Sequence, residues 1–149
     1  MAARAPSTSG TLVAFAFLAA GRVGGVDGAA DGVRAIPYLE AAARSIEERG
    51  KVAVGDRTMI DALRPAVDAF RLAIERGEPL DQTARAAATA ADQGAAMTAS
   101  MTPTVGRAAW LSERAQGHED AGARLVAMAF EVAAAYLTLG SAPSERPAG

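Results

Sequence analysis

The chain of 149 residues has no cysteine, a single histidine and an aromatic content of 5%. Without cysteine there is no disulfide framework, no thiolate zinc site and no cysteine nucleophile, and a reducing compartment is permitted. A lone histidine, His118, cannot build a multi-histidine metal cluster. With no supporting partner in the sequence it reads as an ordinary loop residue rather than a phosphoryl carrier. The charges nearly cancel, 15 Lys and Arg against 17 Asp and Glu, for a formal net charge of -2. No basic stripe and no basic–aromatic interleaving is present, which argues against a nucleic-acid partner. Also missing are a Walker-type glycine loop ending in Lys-Ser/Thr, a Gly-x-Gly-x-x-Gly turn and a Ser-His-Asp nucleophile set. The apolar run at residues 12–20 is too short to span a bilayer as a helix, so no membrane span is expected. Preceded by Arg4, that run has the outline of a secretory signal, and a secreted helical protein is one reading of residues 4–20.

What the sequence has is alanine. Half the residues are hydrophobic, and Ala, the best helix former, does most of the filling. No period-two alternation supports strands. The expectation is one all-α domain over residues 1–140, with a disordered Pro-containing tail at 141–149. A buried helix is read at 9–20 and a glycine-rich loop at 21–32. A second helix begins near Ile36, with Pro37 in its first turn and Gly50 as its C-terminal cap. The third starts near Thr58, where Met59, Leu63, Val67, Phe70 and Ile74 give the strongest helical periodicity in the chain. Pro65 predicts a kink or loosening inside it, and Gly77 and Pro79 end it. An alanine-rich helix follows at 80–101, with Gly94 a weak point, then a loop at 102–119 and a last helix at 120–139 closed by Gly140.

Three stretches carry possible chemistry. Residues 50–59, Gly-Lys-Val-Ala-Val-Gly-Asp-Arg-Thr-Met, place backbone N–H groups at a helix start, a setting that favours phosphate. Simple capping by Asp56 or Thr58 accounts for the same residues. In residues 106–122, Arg107 and Arg114 offer planar forks for phosphate, and Asp120 either caps the last helix or accepts hydrogen bonds from a ribose or base. Trp110 reads as packing rather than as a stacking platform. Ser7-Thr8-Ser9-Gly10 again suits phosphate oxygens or a helix cap. Asp27 and Asp31 are too isolated for a metal site.

Two of these stretches, in this order and spacing, resemble signatures of the L subunit of dihydroxyacetone (glycerone) kinase, the Dak2 or DhaL domain. They are Gly-Lys-Val-Ala-Val-Gly-Asp-Arg-Thr-Met-Ile-Asp-Ala-Leu-Arg-Pro-Ala-Val at 50–67 and Gly-Arg-Ala-Ala-Trp-Leu-Ser-Glu-Arg-Ala-Gln-Gly-His-Glu-Asp-Ala-Gly-Ala at 106–123. Ser7-Thr8-Ser9-Gly10 is similar to the small-residue turn before a core helix of that family. The resemblance covers nearly the whole chain apart from the tail, and it assigns residues 9–20 to the core rather than to a signal. It implies an antiparallel helical barrel or bundle in the cytoplasm, with an ADP or ATP site at one end. By this resemblance Thr8 and Ser9 bind the phosphates, Gly50 approaches the nucleotide through its backbone and Met59 packs on adenine. Arg107 contacts the nucleotide, and Asp120, Ala121 and Gly122 shape the remaining wall. The partners implied are a K subunit holding dihydroxyacetone covalently, a phosphohistidine carrier (the M subunit) and a transcription regulator.

The departures from the family pattern are specific. Arg57 stands for a lysine, and Ala121 for a proline. The Gly-Asp-x-Asp-His-Gly loop, whose carboxylates hold Mg2+ in the family, is expected upstream of this sequence. Since magnesium neutralises much of the charge in phosphoryl transfer, the chain reads as a truncated or late-started kinase subunit. The alternative is a non-catalytic Dak2-like binding module. On either reading the absent helices should leave an apolar seam exposed.

Overall fold

The computed structural model describes Phe15, Leu18 and residues 32–102 and 117–140. The described residues are all-α: α1 (Gly32–Gly50), α2 (Ile60–Glu75), α3 (Leu80–Met97) followed by a 3-10 turn (Thr98–Ser100), and α4 (Ala121–Gly140). Residues 15 and 18 are also helical. The readings for the rest of 1–31, for 103–116 and for the tail lie outside the described residues.

Residue pairs across the helices run in opposite order, so neighbours are antiparallel. From α1 to α2, Glu47 meets Arg64 and Glu40 meets Arg71. From α3 to α4, Asp92 meets Arg124, and further along Ala84 and Ala88 cluster with Ala134. The short link between α2 and α3 forces the same arrangement there. The predicted stripe on α2 is the bundle's main wedge: Met59, Leu63, Val67 and Phe70 are buried, and Ile74 packs at its end. Alanine at 87, 91 and 95 is wholly buried on α3, and these short side chains let α2 and α4 close on α3 from either side. Leu39 of α1 and Phe130 of α4 pack on both main clusters.

Three boundary readings change. α1 starts at Gly32 rather than near Ile36, so Pro37 lies in its second turn. Its first residue is buried, and a Cβ there would stand 3.2 Å from Leu80 Cδ1; glycine allows the helix to begin in that contact. At the other end Gly50 holds the cap position, but the left-handed residue is Lys51, at φ 51°. The Val52 N–H donates to the Glu47 carbonyl at 3.2 Å, which makes this a Schellman ending with a lysine in the usual glycine place. α2 starts at Ile60 rather than Thr58. Pro65 leaves α2 continuous from Ile60 to Glu75. Gly77, at φ 74°, closes α2 as read, its N–H donating to the Ile74 carbonyl at 2.9 Å.

Gly94 is a close-approach point rather than a weak one. It is buried, and a Cβ there would run into the Asp61 carbonyl oxygen and lie 3.0 Å from Ala62 Cα. In an unbroken ladder that carbonyl would accept from residue 65, but Pro65 has no N–H to give. The bare α3 backbone therefore packs where the α2 ladder is interrupted.

On the far side of α4, Leu125, Met128, Val132, Tyr136 and Leu139 are between 53% and 77% exposed. By length and composition alone, Ala121–Leu139 is also apolar enough to cross a membrane. Its opposite face carries Ala123, Ala127 and Ala134, all buried in the clusters shared with α3.

Candidate functional site

One end of the bundle gathers the α1–α2 loop, the 3-10 turn after α3 and the start of α4. The loop is held by its own carboxylates. Asp61, 2% exposed in the first turn of α2, accepts from the Gly55 N–H at 2.5 Å through Oδ1 and from the Thr58 N–H at 2.7 Å through Oδ2. Asp56 accepts from the Ala53 N–H at 2.7 Å, and the Thr58 hydroxyl accepts from the Ile60 N–H at 3.3 Å. The expectation of free N–H groups here is corrected for Ala53, Gly55, Thr58 and Ile60, whose donors are spent inside the loop. Side-chain capping accounts for them, with Asp61 taking two of the four. The signal was present as Thr58-x-x-Asp61, the spacing of a capping box, and Asp61 reaching back to the Thr58 N–H is half of that motif.

Arg57 also escaped sequence reasoning. It is 5% exposed and left-handed at φ 59°, a region that non-glycine residues seldom occupy. Its Nε donates to the Thr98 carbonyl at 2.9 Å and its Nη2 to the His118 carbonyl at 2.7 Å. No local pattern announces a bond across 61 positions.

Asp120 is the N-cap of α4, its Oδ2 accepting from the Ala123 N–H at 2.9 Å; the capping alternative holds for this residue. Its own N–H donates to the Thr98 hydroxyl at 2.8 Å, and that hydroxyl, wholly buried, donates to the Ala95 carbonyl at 2.5 Å. Beside it, Arg124 grips both oxygens of Glu119 at 2.6 and 2.8 Å and reaches Asp92 at 2.6 Å. The hydrogen bond from Arg124 holds the Glu119 carboxyl below its ordinary pKa.

Of the residues assigned to a nucleotide by resemblance, Met59, Asp120 and Gly122 meet. A Cβ at position 122 would lie 3.0 Å from Asp120 Oδ2, 3.3 Å from Met59 Cβ and 3.4 Å from Met59 Cε. A thioether, a carboxylate and a bare backbone therefore share one wall, with the exposed Ala121 at its edge. Gly50 ends α1 at the entrance to the loop that carries Met59. Thr8, Ser9 and Arg107 lie outside the described residues. Among the described residues no group of three or more His, Asp or Glu side chains is placed to hold a metal ion. The donor set there does not fit the magnesium that the resemblance implies.

Comparison with known proteins agrees with the two motifs. The chain is 37% identical over 134 residues to L-erythrulose kinase of Pectobacterium atrosepticum, covering 90% of this chain and 23% of that protein. It is 34% identical over 138 residues to D-erythrulose kinase of Mycolicibacterium smegmatis, covering 93% of this chain and 24% of that protein. To the ADP-binding subunit DhaL of the PEP-dependent dihydroxyacetone kinase of Escherichia coli it is 35% identical over 92 residues, covering 62% of this chain and 44% of the subunit. The chain thus spans about a quarter of the length of the two erythrulose kinases. The DAK2 domain pattern matches residues 1–135, and the chain belongs to the DAK2 domain family.

Proposed function

We propose that this chain is the nucleotide-binding part of a kinase-type phosphotransferase acting on a short ketose, dihydroxyacetone or a near relative such as erythrulose. The observation that carries the reading is the meeting of Met59 with Asp120 and Gly122, residues from two motifs far apart in sequence. A polarisable thioether suits the face of a nucleobase. Asp120, with Oδ2 used in capping, is a carboxylate of the kind that accepts a ribose hydroxyl. Gly122, having no side chain, lets Met59 and the Asp120 turn pack into one wall. Relatives described as ADP-binding subunits support the ligand, and the erythrulose kinases widen the substrate class.

In this reading Thr8, Ser9 and Arg107 hold the phosphates, Gly50 approaches the nucleotide through its backbone, and Ala121 completes the wall. The acceptor ketose is held by a K subunit or an equivalent domain. The donor is exchangeable ATP, or resident ADP recharged by a phosphohistidine carrier. A transcription regulator is a further partner, and the compartment is the cytoplasm. Magnesium, when bound, supplies charge neutralisation at the phosphates; the described residues contribute nucleobase packing and sugar recognition.

The test is calorimetric titration with ADP and magnesium, comparing the wild type with Gly122→Val. The added branch presses Met59 and Asp120 apart and reshapes the wall, so affinity should fall at least tenfold, about 1.4 kcal/mol. Absence of ADP binding in the wild type, and in a version extended upstream by the family's aspartate loop, would overturn the site. Binding by the extended version without phosphoryl transfer to ketose on a K subunit would make the domain a binding module.

A further inference from the structure

We propose that Arg57 is a positioning residue that fixes the contact by which Met59 and the turn Asp120 to Gly122 form this wall. For its ligand the proposal rests on the nucleotide reading above. Its geometry stands separately.

Arg57 lies two residues before Met59 and faces away from solvent. Two of its bonds, to Thr98 and His118, end on main-chain carbonyls of two different segments. Its Nε and one Nη therefore serve the protein backbone at and beyond the end of α3, and a positive charge is favourable at that helix end. Thr98 extends the link, since its carbonyl takes the Arg57 bond while its hydroxyl takes the Asp120 N–H. Asp120 in turn caps α4, and Gly122 of that first turn rests against Met59. A closed circuit results: 57 to 98, 98 to 120, 120 to 122, 122 to 59, and back along the chain to 57. A guanidinium holds two acceptors in fixed directions, whereas an ammonium is a single mobile point. The left-handed backbone at Arg57 is unfavourable for a residue with a Cβ unless its surroundings fix it, and these bonds help to fix it.

The role separates from that of a phosphate-binding arginine. Position 57 should control ligands that rest on this wall and leave alone ligands that touch only the phosphate side. We would measure affinities for ADP and for inorganic pyrophosphate, each with magnesium, in wild type, Arg57→Lys, Arg57→Ala and Thr98→Val. Amide hydrogen exchange at residues 117–123 would be followed in parallel. The expected result is a tenfold or greater loss of ADP affinity in Arg57→Ala, less in Arg57→Lys, and unchanged pyrophosphate affinity. Exchange at the Gly117 and Asp120 amides should rise at least tenfold in Arg57→Ala, and at Asp120 in Thr98→Val. Parallel loss of ADP and pyrophosphate affinity would overturn the proposal in favour of a direct charge role. Unchanged exchange at 117–123 would overturn it whatever the affinities. If wild type binds no ADP, the nucleotide reading fails, and exchange in the folded Lys and Val variants still decides whether Arg57 and Thr98 set this geometry.

Discussion

At the scale of single residues, the bundle end depends on buried polar groups that are all satisfied; among the described residues no buried side-chain nitrogen or oxygen lacks a partner. Thr98 is the sharpest case, because its hydroxyl both donates to Ala95 and accepts from Asp120. Thr98→Val keeps the shape and strands both partners, and a buried group left unsatisfied costs about 1–3 kcal/mol. Urea unfolding should show a loss of that size. Asp61→Asn keeps one acceptor and loses the charge-assisted pair to Gly55 and Thr58. It should release exchange at one of the two amides, and weaken protection at the other, while α2 stays folded, because the α2 stripe supplies that helix with its own burial. Of these roles, Asp120 as a cap was legible from its place before an apolar run. Asp61 was legible in principle from its spacing to Thr58. Arg57 was not, since its acceptors are carbonyls, which every residue has and no sequence distinguishes.

At the scale of elements, helix identity was readable from alanine content and from the 3-4 spacing on α2, whereas Gly32 and Gly94 were misread. Both are close-approach glycines, and a glycine in sequence announces backbone freedom rather than what packs against it. Gly94→Ala separates the two meanings. Helix propensity alone would favour alanine by about 1 kcal/mol. The added methyl instead meets the Asp61 carbonyl and Ala62 Cα, backbone atoms that cannot swing aside, and overpacking of this kind costs about 1–3 kcal/mol. The variant should therefore melt below the wild type; a rise in melting temperature would refute the close-approach reading.

The α1–α2 pair also sets a pH dependence. Burial pushes the Glu40 carboxyl up, but hydrogen bonds and charge from Arg64 and Arg71 outweigh it and hold the group below its ordinary value. Arg64, bonded first to Glu47 and also to Glu40, is correspondingly harder to deprotonate. A carboxyl with a depressed folded-state pKa contributes stability above its unfolded value, near 4.5, and loses that contribution as the pH falls through the folded value. Glu40→Gln removes the titration. The stability difference between wild type and variant should be constant near neutrality and shrink below about pH 4.5. A difference independent of pH would show that Glu40 acts by packing alone.

At the scale of the whole molecule, the two sides of α4 differ sharply. Its first turn is tied to α3 and the loop through Asp120 and Arg124, while its outer face presents Leu125, Met128, Val132, Tyr136 and Leu139 at helical spacing. A contiguous apolar stripe of five large side chains exceeds the scattered single residues normal on a soluble surface. The double variant Val132→Lys and Leu139→Gln alters this face without touching Ala123, Ala127 or Ala134, which do the packing. Substitutions at exposed sites usually change stability by no more than about 0.5 kcal/mol each. The wild type should bind a hydrophobic dye while folded, and the double variant should bind much less at a nearly unchanged melting temperature. Ala127→Lys is the contrast: it places a charge in the closed face and should unfold the bundle. A double variant that loses several kcal/mol would mean that the outer face is already covered in the folded chain in solution, and the exposed stripe would then be wrong.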